Sequence, residues 1–194
     1  MQWVPFLLYV FVTSFTPGPN TMMSMAYASQ LGFQKTLRFI LGVTLGTTIL
    51  SLVSSYFNLV LHHYIPQIQL WLSIVGIAYM VYLAVKIMLS KPGEKSNEPG
   101  NKTLFLSGVL IQFINPKAIL YAITVIPMFV LPTYASYESL FLFALFFGFV
   151  GFMSCTSWAV CGALFQRFVN RHQRVLNVVM GLLLMYSAFS MLPE

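Results

Sequence analysis

Apolar residues run along this chain in long blocks, and the polar and charged residues gather in the gaps between them. Six blocks separate, at about 3–30, 37–61, 68–90, 103–131, 138–166 and 174–192. A helix needs about 20 mainly apolar residues to cross the ~30 Å hydrocarbon layer of a bilayer, so each block reads as a membrane helix. One gap has the composition of a linker: KPGEKSNEPGN, residues 91–101, rich in charge, proline and glycine. It predicts a flexible joint between two halves of three blocks each.

Two blocks interrupt themselves near their centres, with TPGPN at 16–20 and INPKA at 114–118. Proline has no N–H, so it leaves the carbonyl four residues earlier without its helical partner. Pro17 and Pro19 free the carbonyls of Thr13 and Phe15, and Pro116 frees that of Gln112. In hydrocarbon each orphaned group costs several kcal/mol, so a broken backbone persists only inside protein or against a wet cavity. Both breaks fall near mid-block, hence near the bilayer midplane. A helix restarting at Pro19 turns the positive end of its dipole towards the first break. A lone proline reads most simply as a kink. Two prolines around Gly18, echoed by Asn-Pro-Lys in the other half, point instead to a binding site at the midplane.

The halves share more than their breaks. Their second blocks carry paired glycines, Gly42/Gly46 and Gly148/Gly151, and their third blocks carry Tyr82/Ala84 and Tyr186/Ala188. The Pro17–Pro116 offset is 99 and the Tyr82–Tyr186 offset is 104, so the register is roughly kept. Three spans are an odd number, so a second copy must lie upside down. The expected fold is an all-α membrane protein of six transmembrane helices in two inverted three-helix repeats. The first helix of each repeat is broken at proline. The expected organisation is one transmembrane domain over 1–194, with repeats at about 1–90 and 102–194 joined by a cytoplasmic linker.

Composition agrees: 58% of residues are hydrophobic and 7% charged, where a soluble domain carries roughly 25% charged residues. That leaves no length for a separate soluble domain. Trp3 opens the first block without a basic n-region or small-residue cleavage site, so a cleaved signal peptide is not expected. The net charge of +6 lacks the aromatic-interleaved stripe of a nucleic-acid binder and reads as topology. Lys35 and Arg38, then Lys86, Lys91, Lys95 and Lys102, then Arg167, Arg171 and Arg174 fall in or beside alternate gaps. Those gaps, at about 31–36, 91–101 and 167–173, are expected on the cytoplasmic side. The opposite loops hold His62, His63 and Glu138, and both termini are expected outside. Cys155 and Cys161 lie about 9 Å apart along one helix, too far for an unstrained disulfide. No Cys/His spacing suits a metal, and without any Asp no Ser/His/Asp set exists. Neither an enzyme nor a cofactor is expected.

Nine of the ten basic residues obey the topology, and the tenth, Lys117, lies inside a block. A buried ammonium in a membrane is expensive and faces the bundle interior or water. Two roles stay open for it: meeting a substrate carboxylate or carrying a proton, or bonding freed carbonyls to hold the break in shape. Gln112 and Asn115 are three apart and share a helical face. Their amides offer donors and acceptors alike, and Thr13, Thr16 and Asn20 bring similar groups from the other break. The candidate substrate-binding set is therefore Thr13, Thr16, Pro17, Gly18, Pro19, Asn20, Gln112, Asn115, Pro116 and Lys117. Every glutamate (Glu94, Glu98, Glu138, Glu194) lies in a loop or at the terminus. A carboxylate proton relay is excluded by inventory. Gly42-x-x-x-Gly46 reads as a close helix contact. Tyr79, Tyr82, Trp158 and Tyr186 read as packing or interface anchors.

With TPGPN, GVTLG (42–46) and QFINPKAILY (112–121), the chain resembles the lysine exporter superfamily, RhtB branch; MFVLP (128–132) and LFQR (164–167) carry the similarity further. The resemblance implies export of small neutral amino acids or derivatives, of the cysteine and O-acetylserine kind, across a bacterial inner membrane. Homoserine-, threonine- or leucine-type substrates stay open. It also implies coupling to protons or membrane potential, with a zwitterionic amino acid and the lipid bilayer as partners. A homo-oligomer is compatible with such a chain. The substrate carboxylate would meet Lys117 or the helix start near Asn20, and its ammonium the carbonyls of Thr13, Phe15 or Gln112. Two readings from other classes are a membrane thiol-redox protein, which would need a reactive cysteine pair, and a non-transporting assembly or sensor subunit.

Overall fold

A computed structural model describes residues 3–61, 100–164 and 172–189, with helical residues 74, 77, 78, 81, 82, 84, 85, 88 and 89 between them. The expected linker, most of the third block and the basic loop after the fifth lie largely outside the described residues. The described chain is all-helical. In order come α1 (Trp3–Phe15), α2 (Pro19–Leu31), α3 (Phe33–Leu61), α4 (Asn101–Ile114), α5 (Pro116–Val125), α6 (Tyr137–Leu164) and α7 (Gln173–Phe189).

The proline breaks divide the first and fourth blocks into helix pairs, α1/α2 and α4/α5. Phe33–Asn58 and Tyr137–Leu164 are each long and apolar enough to cross a bilayer. Lys102–Ile114 and Pro116–Val130, bent by 61°, make a third crossing if the pair is one span. The described residues thus carry two such spans, or three with the bent pair, where the sequence predicts six in the whole chain. Helices α1 and α2 have 13 residues each, about 20 Å apiece, so neither crosses alone.

The expected loop at 31–36 is instead a single-residue junction. Helix α2 ends at Leu31 and α3 begins at Phe33, with Gly32 at φ 84° between them. A residue without Cβ enters that left-handed conformation freely, which lets the chain turn in one step. The Gly32 carbonyl then accepts from the Thr36 hydroxyl (2.9 Å) and N–H (3.3 Å).

Close crossings hold the helices together. A Cβ at Gly42 would collide with the carbonyl of Phe105, and one at Gly108 with the carbonyl of Phe39. Helices α3 and α4 therefore touch backbone to backbone, and Gly46 extends the seam beside Val109 and Gln112. Small residues are what permit this approach. Gly162 of α6 meets the Met25 carbonyl of α2 in the same way.

Two apolar clusters fill the interior. In one, Phe6 and Val10 of α1 pack with Tyr121 and Val125 of α5 and with Phe147 of α6. A π-turn at Ile126–Val130 belongs to it. Pro127 interrupts the regular ladder there, and Leu131 N–H reaches the Ile126 carbonyl at 2.9 Å. In the other cluster, Ala28, Phe39, Val43, Leu104, Cys155 and Ala159 tie α2, α3, α4 and α6 together. Val4, Leu8, Phe11, Leu110, Leu142 and Phe149 point outward and are more than half exposed, a surface suited to lipid.

Candidate functional site

At the first break α1 keeps its ladder as far as Thr16, whose N–H donates to Val12 at 3.0 Å. The prolines then remove the next donors, and side chains take over the freed carbonyls one by one. The Thr16 hydroxyl donates to Thr13 (3.0 Å), the Ser154 hydroxyl to Ser14 (2.7 Å), and the Trp158 indole N–H to Phe15 (3.2 Å). Ser154 and Trp158 lie four apart on α6 and so share the face that meets the end of α1.

Lys117 caps what remains. Its Nζ donates to the Thr16 carbonyl at 3.0 Å, the Pro17 carbonyl at 3.3 Å and the Thr16 hydroxyl at 2.8 Å. Three contacts use all three donors of the ammonium. The side chain lies across Gly18, where a Cβ would stand 3.1 Å from Lys117 Cδ and 3.4 Å from Nζ. Gly18 leaves the lysine its path. The Gly18 peptide is closed locally by Thr21, whose hydroxyl accepts from Gly18 N–H (2.9 Å) and donates to its carbonyl (3.0 Å). Helix α2 then restarts with Pro19 in its first turn, where a missing N–H costs least.

The second break is one residue long. Asn115 closes α4 through its N–H to Ile111 (2.8 Å) and caps α5 through its Oδ1, which accepts from Lys117 N–H at 3.1 Å. Pro116 follows at the first helical position. The two breaks are joined by amides. Asn20 donates to Gln112 Oε1 at 2.9 Å, and Asn115 donates to Asn20 Oδ1 at 3.2 Å. Gln112 is fully buried, accepts from the Thr47 hydroxyl (3.3 Å) and donates back to the Gly108 carbonyl (3.3 Å).

Around this network lies a cavity of about 70 Å³, room for about two water molecules at their liquid volume and less than an amino acid requires. Eight of the ten candidate residues line it: Thr13, Thr16, Gly18, Pro19, Asn20, Gln112, Asn115 and Lys117. Pro17 and Pro116 shape the breaks without lining the cavity. Sequence reading missed Thr47, Ser51, Tyr121 and Ser154 in the walls. Their only signal was helical spacing, since Tyr121 follows Lys117 by one turn and Ser51 follows Thr47 by one turn. It also missed Trp158 as a cap. Cys155 is buried in the cavity wall and Cys161 is exposed; both are free thiols.

The model of the LysE type translocator family matches residues 11–194. The chain belongs to the LysE type translocator family. Among its relatives are cysteine/O-acetylserine efflux proteins of Salmonella typhimurium (strain LT2), 34% identical over 183 residues, and of Escherichia coli (strain K12), 33% identical over 183 residues. Each alignment covers 94% of this chain and 93% of the relative. The Shigella flexneri protein of the same description is 33% identical over the same share. No solved structure gives a significant match. Membership in the LysE type family makes the chain a membrane transporter rather than an enzyme.

Proposed function

We propose that this LysE type translocator exports small neutral amino acids of the cysteine and O-acetylserine kind across a bacterial inner membrane. It does so by alternating access around its two helix breaks, as a single transmembrane unit over 1–194. The observation that carries this reading is the Lys117 ammonium seated on the Thr16 and Pro17 carbonyls of the opposite break. A zwitterion presents the same chemistry with the charges paired. Its carboxylate draws Lys117 away, or docks at the start of α2 near Asn20, and its ammonium takes the carbonyls that Lys117 leaves. One ammonium replaces another, so the desolvated carbonyls keep a donor throughout the exchange. Thr16 and Pro17 supply these carbonyls in place of Thr13 and Phe15, which Thr16 and Trp158 already hold. The cavity must widen to admit the cargo, and the prolines set where the half-helices hinge.

Charge placement supports a cytoplasmic position for the Gly32 junction, beside Lys35 and Arg38, and for the segments at about 91–101 and 167–173, with both termini outside. Coupling to protons would run through Lys117, a histidine near a membrane edge or the substrate itself, since Glu138 stands in the first turn of α6, at the end of its span; coupling to membrane potential is the other form. The test loads proteoliposomes with labelled cysteine or O-acetylserine and follows efflux by wild type, Lys117→Met and Asn115→Ala. Loss of at least tenfold in rate is expected of both, a change equal to about 1.4 kcal/mol. Undiminished efflux by both folded variants would sink the site assignment.

A further inference from the structure

Two hydroxyls in the cavity wall have no use in the network just described. Ser51 Oγ and Tyr121 OH are buried, line the cavity and close no hydrogen bond among the described residues, although the Ser14 side chain stands beside the Tyr121 hydroxyl. Their neighbours behave otherwise. Along α3 the hydroxyls of Thr44, Thr48 and Ser55 each bond the carbonyl four residues earlier, at 2.8–3.0 Å. Ser51, only 1% exposed, does not. A buried Tyr hydroxyl ordinarily finds a partner, and a buried hydroxyl without one is unfavourable.

Their placement is as specific as their lack of partners. Ser51 stands one turn beyond Thr47, which bonds Gln112. Tyr121 stands one turn beyond Lys117. A turn is 5.4 Å, and Ser51 and Tyr121 line the same cavity as Thr47, Gln112 and Lys117. The Tyr121 ring is fixed by stacking on Tyr9 (centroids 6.1 Å, 6°) and by an edge contact with Phe147 (5.6 Å, 82°). Val43, Leu50 and Ala122 add apolar wall to the same cavity.

We infer that Ser51 and Tyr121 form a side-chain subsite that selects amino acids carrying a hydrogen-bonding group on a short side chain. A hydroxyl both donates and accepts, so the pair suits an alcohol, a thiol or an ester carbonyl. An aliphatic isostere enters the same space and leaves both hydroxyls unpaired, and that penalty, rather than size, sets the preference. This rests on the amino-acid export reading, which fixes the charged end of the cargo at the breaks.

The experiment uses the full chain in proteoliposomes and measures efflux of two matched pairs: L-serine against L-2-aminobutyrate, and O-acetyl-L-serine against L-norleucine. Wild type is expected to favour the polar member of each pair at least tenfold. Ser51→Ala and Tyr121→Phe remove one hydroxyl each and spare the ring contacts. Each is expected to cut the polar-to-apolar ratio about three- to tenfold, the scale of one hydrogen bond, and the double variant further. A wild type without preference overturns the subsite with no variant needed. An unchanged ratio in the single and double variants, measured on monodisperse protein, also overturns it and leaves the hydroxyls to structural water. Absence of any amino-acid flux by wild type would instead strike the export reading beneath it.

Discussion

The residue that bears most on this protein is Lys117, because its sequence context allowed two roles and its contacts reveal one directly. Its ammonium spans 101 residues of chain to reach Thr16 and sits on carbonyls that TPGPN set free. That contact explains why a cation is tolerated there: the freed carbonyls need donors as much as the ammonium needs acceptors. Arg at this position is not equivalent, since a planar guanidinium cannot occupy the point-like seat between two carbonyls and a hydroxyl. Lys117→Arg is expected to lose efflux nearly as fully as Lys117→Met in the same vesicle assay. Gly18→Ala tests the path of the side chain. Its Cβ would press on Lys117 Cδ at 3.1 Å, so slowed transport with a near-normal melting temperature is expected. Trp158→Phe leaves a smaller aromatic ring in place of the indole and removes the N–H from the Phe15 carbonyl. An unsatisfied buried group costs about 1–3 kcal/mol, to be read as lowered stability in detergent by chemical denaturation.

Among the elements, α3 and α4 carry the tightest crossing. The glycines of GVTLG were legible as a packing seam because small residues four apart form a flat helical face. That α4 would fill the seam, with Gly108 as the reciprocal glycine, was not legible. Which helix face meets which depends on the whole bundle. The geometry separates two substitutions that look alike in sequence. Gly108→Ala drives a Cβ into the Phe39 carbonyl, whereas Gly151→Ala meets only the Thr47 hydroxyl at 3.7 Å, an ordinary contact. The first is expected to destabilise by about 1–3 kcal/mol, as overpacking does. The second is expected to change the thermal midpoint little. The junction at Gly32 carries a similar lesson. The sequence reading placed a loop at 31–36, but one glycine at positive φ replaces it. Polar and basic residues near a helix end resemble a loop whether or not they have already joined the next helix.

At the scale of the molecule, the two breaks meet and bond across their halves. Asn20, Gln112 and Asn115 form one amide network across sequence separations of 92 and 95 residues, so they are expected to act as a unit. Combining Asn20→Ala with Gln112→Ala should cost less than the sum of the singles, with a coupling of about 0.5–3 kcal/mol in a double-mutant cycle read by stability. Strict additivity would show that the breaks are independent. The breaks are not copies of each other. Three residues, Thr16 to Gly18, separate α1 from α2, while Asn115 alone separates α4 from α5.

The sequence by itself determined where the chain breaks, which blocks are apolar and which family the chain joins. These follow from local chemistry: proline lacks a donor wherever it stands, and a run of apolar side chains needs no partner to be apolar. Only the tertiary structure decided which group answers each freed carbonyl. Ser154 serves Ser14, Trp158 serves Phe15, and Lys117 serves Thr16 and Pro17. A hydrogen bond acts over about 3 Å, and distances that short between residues 100 or more apart exist only once the helices have packed.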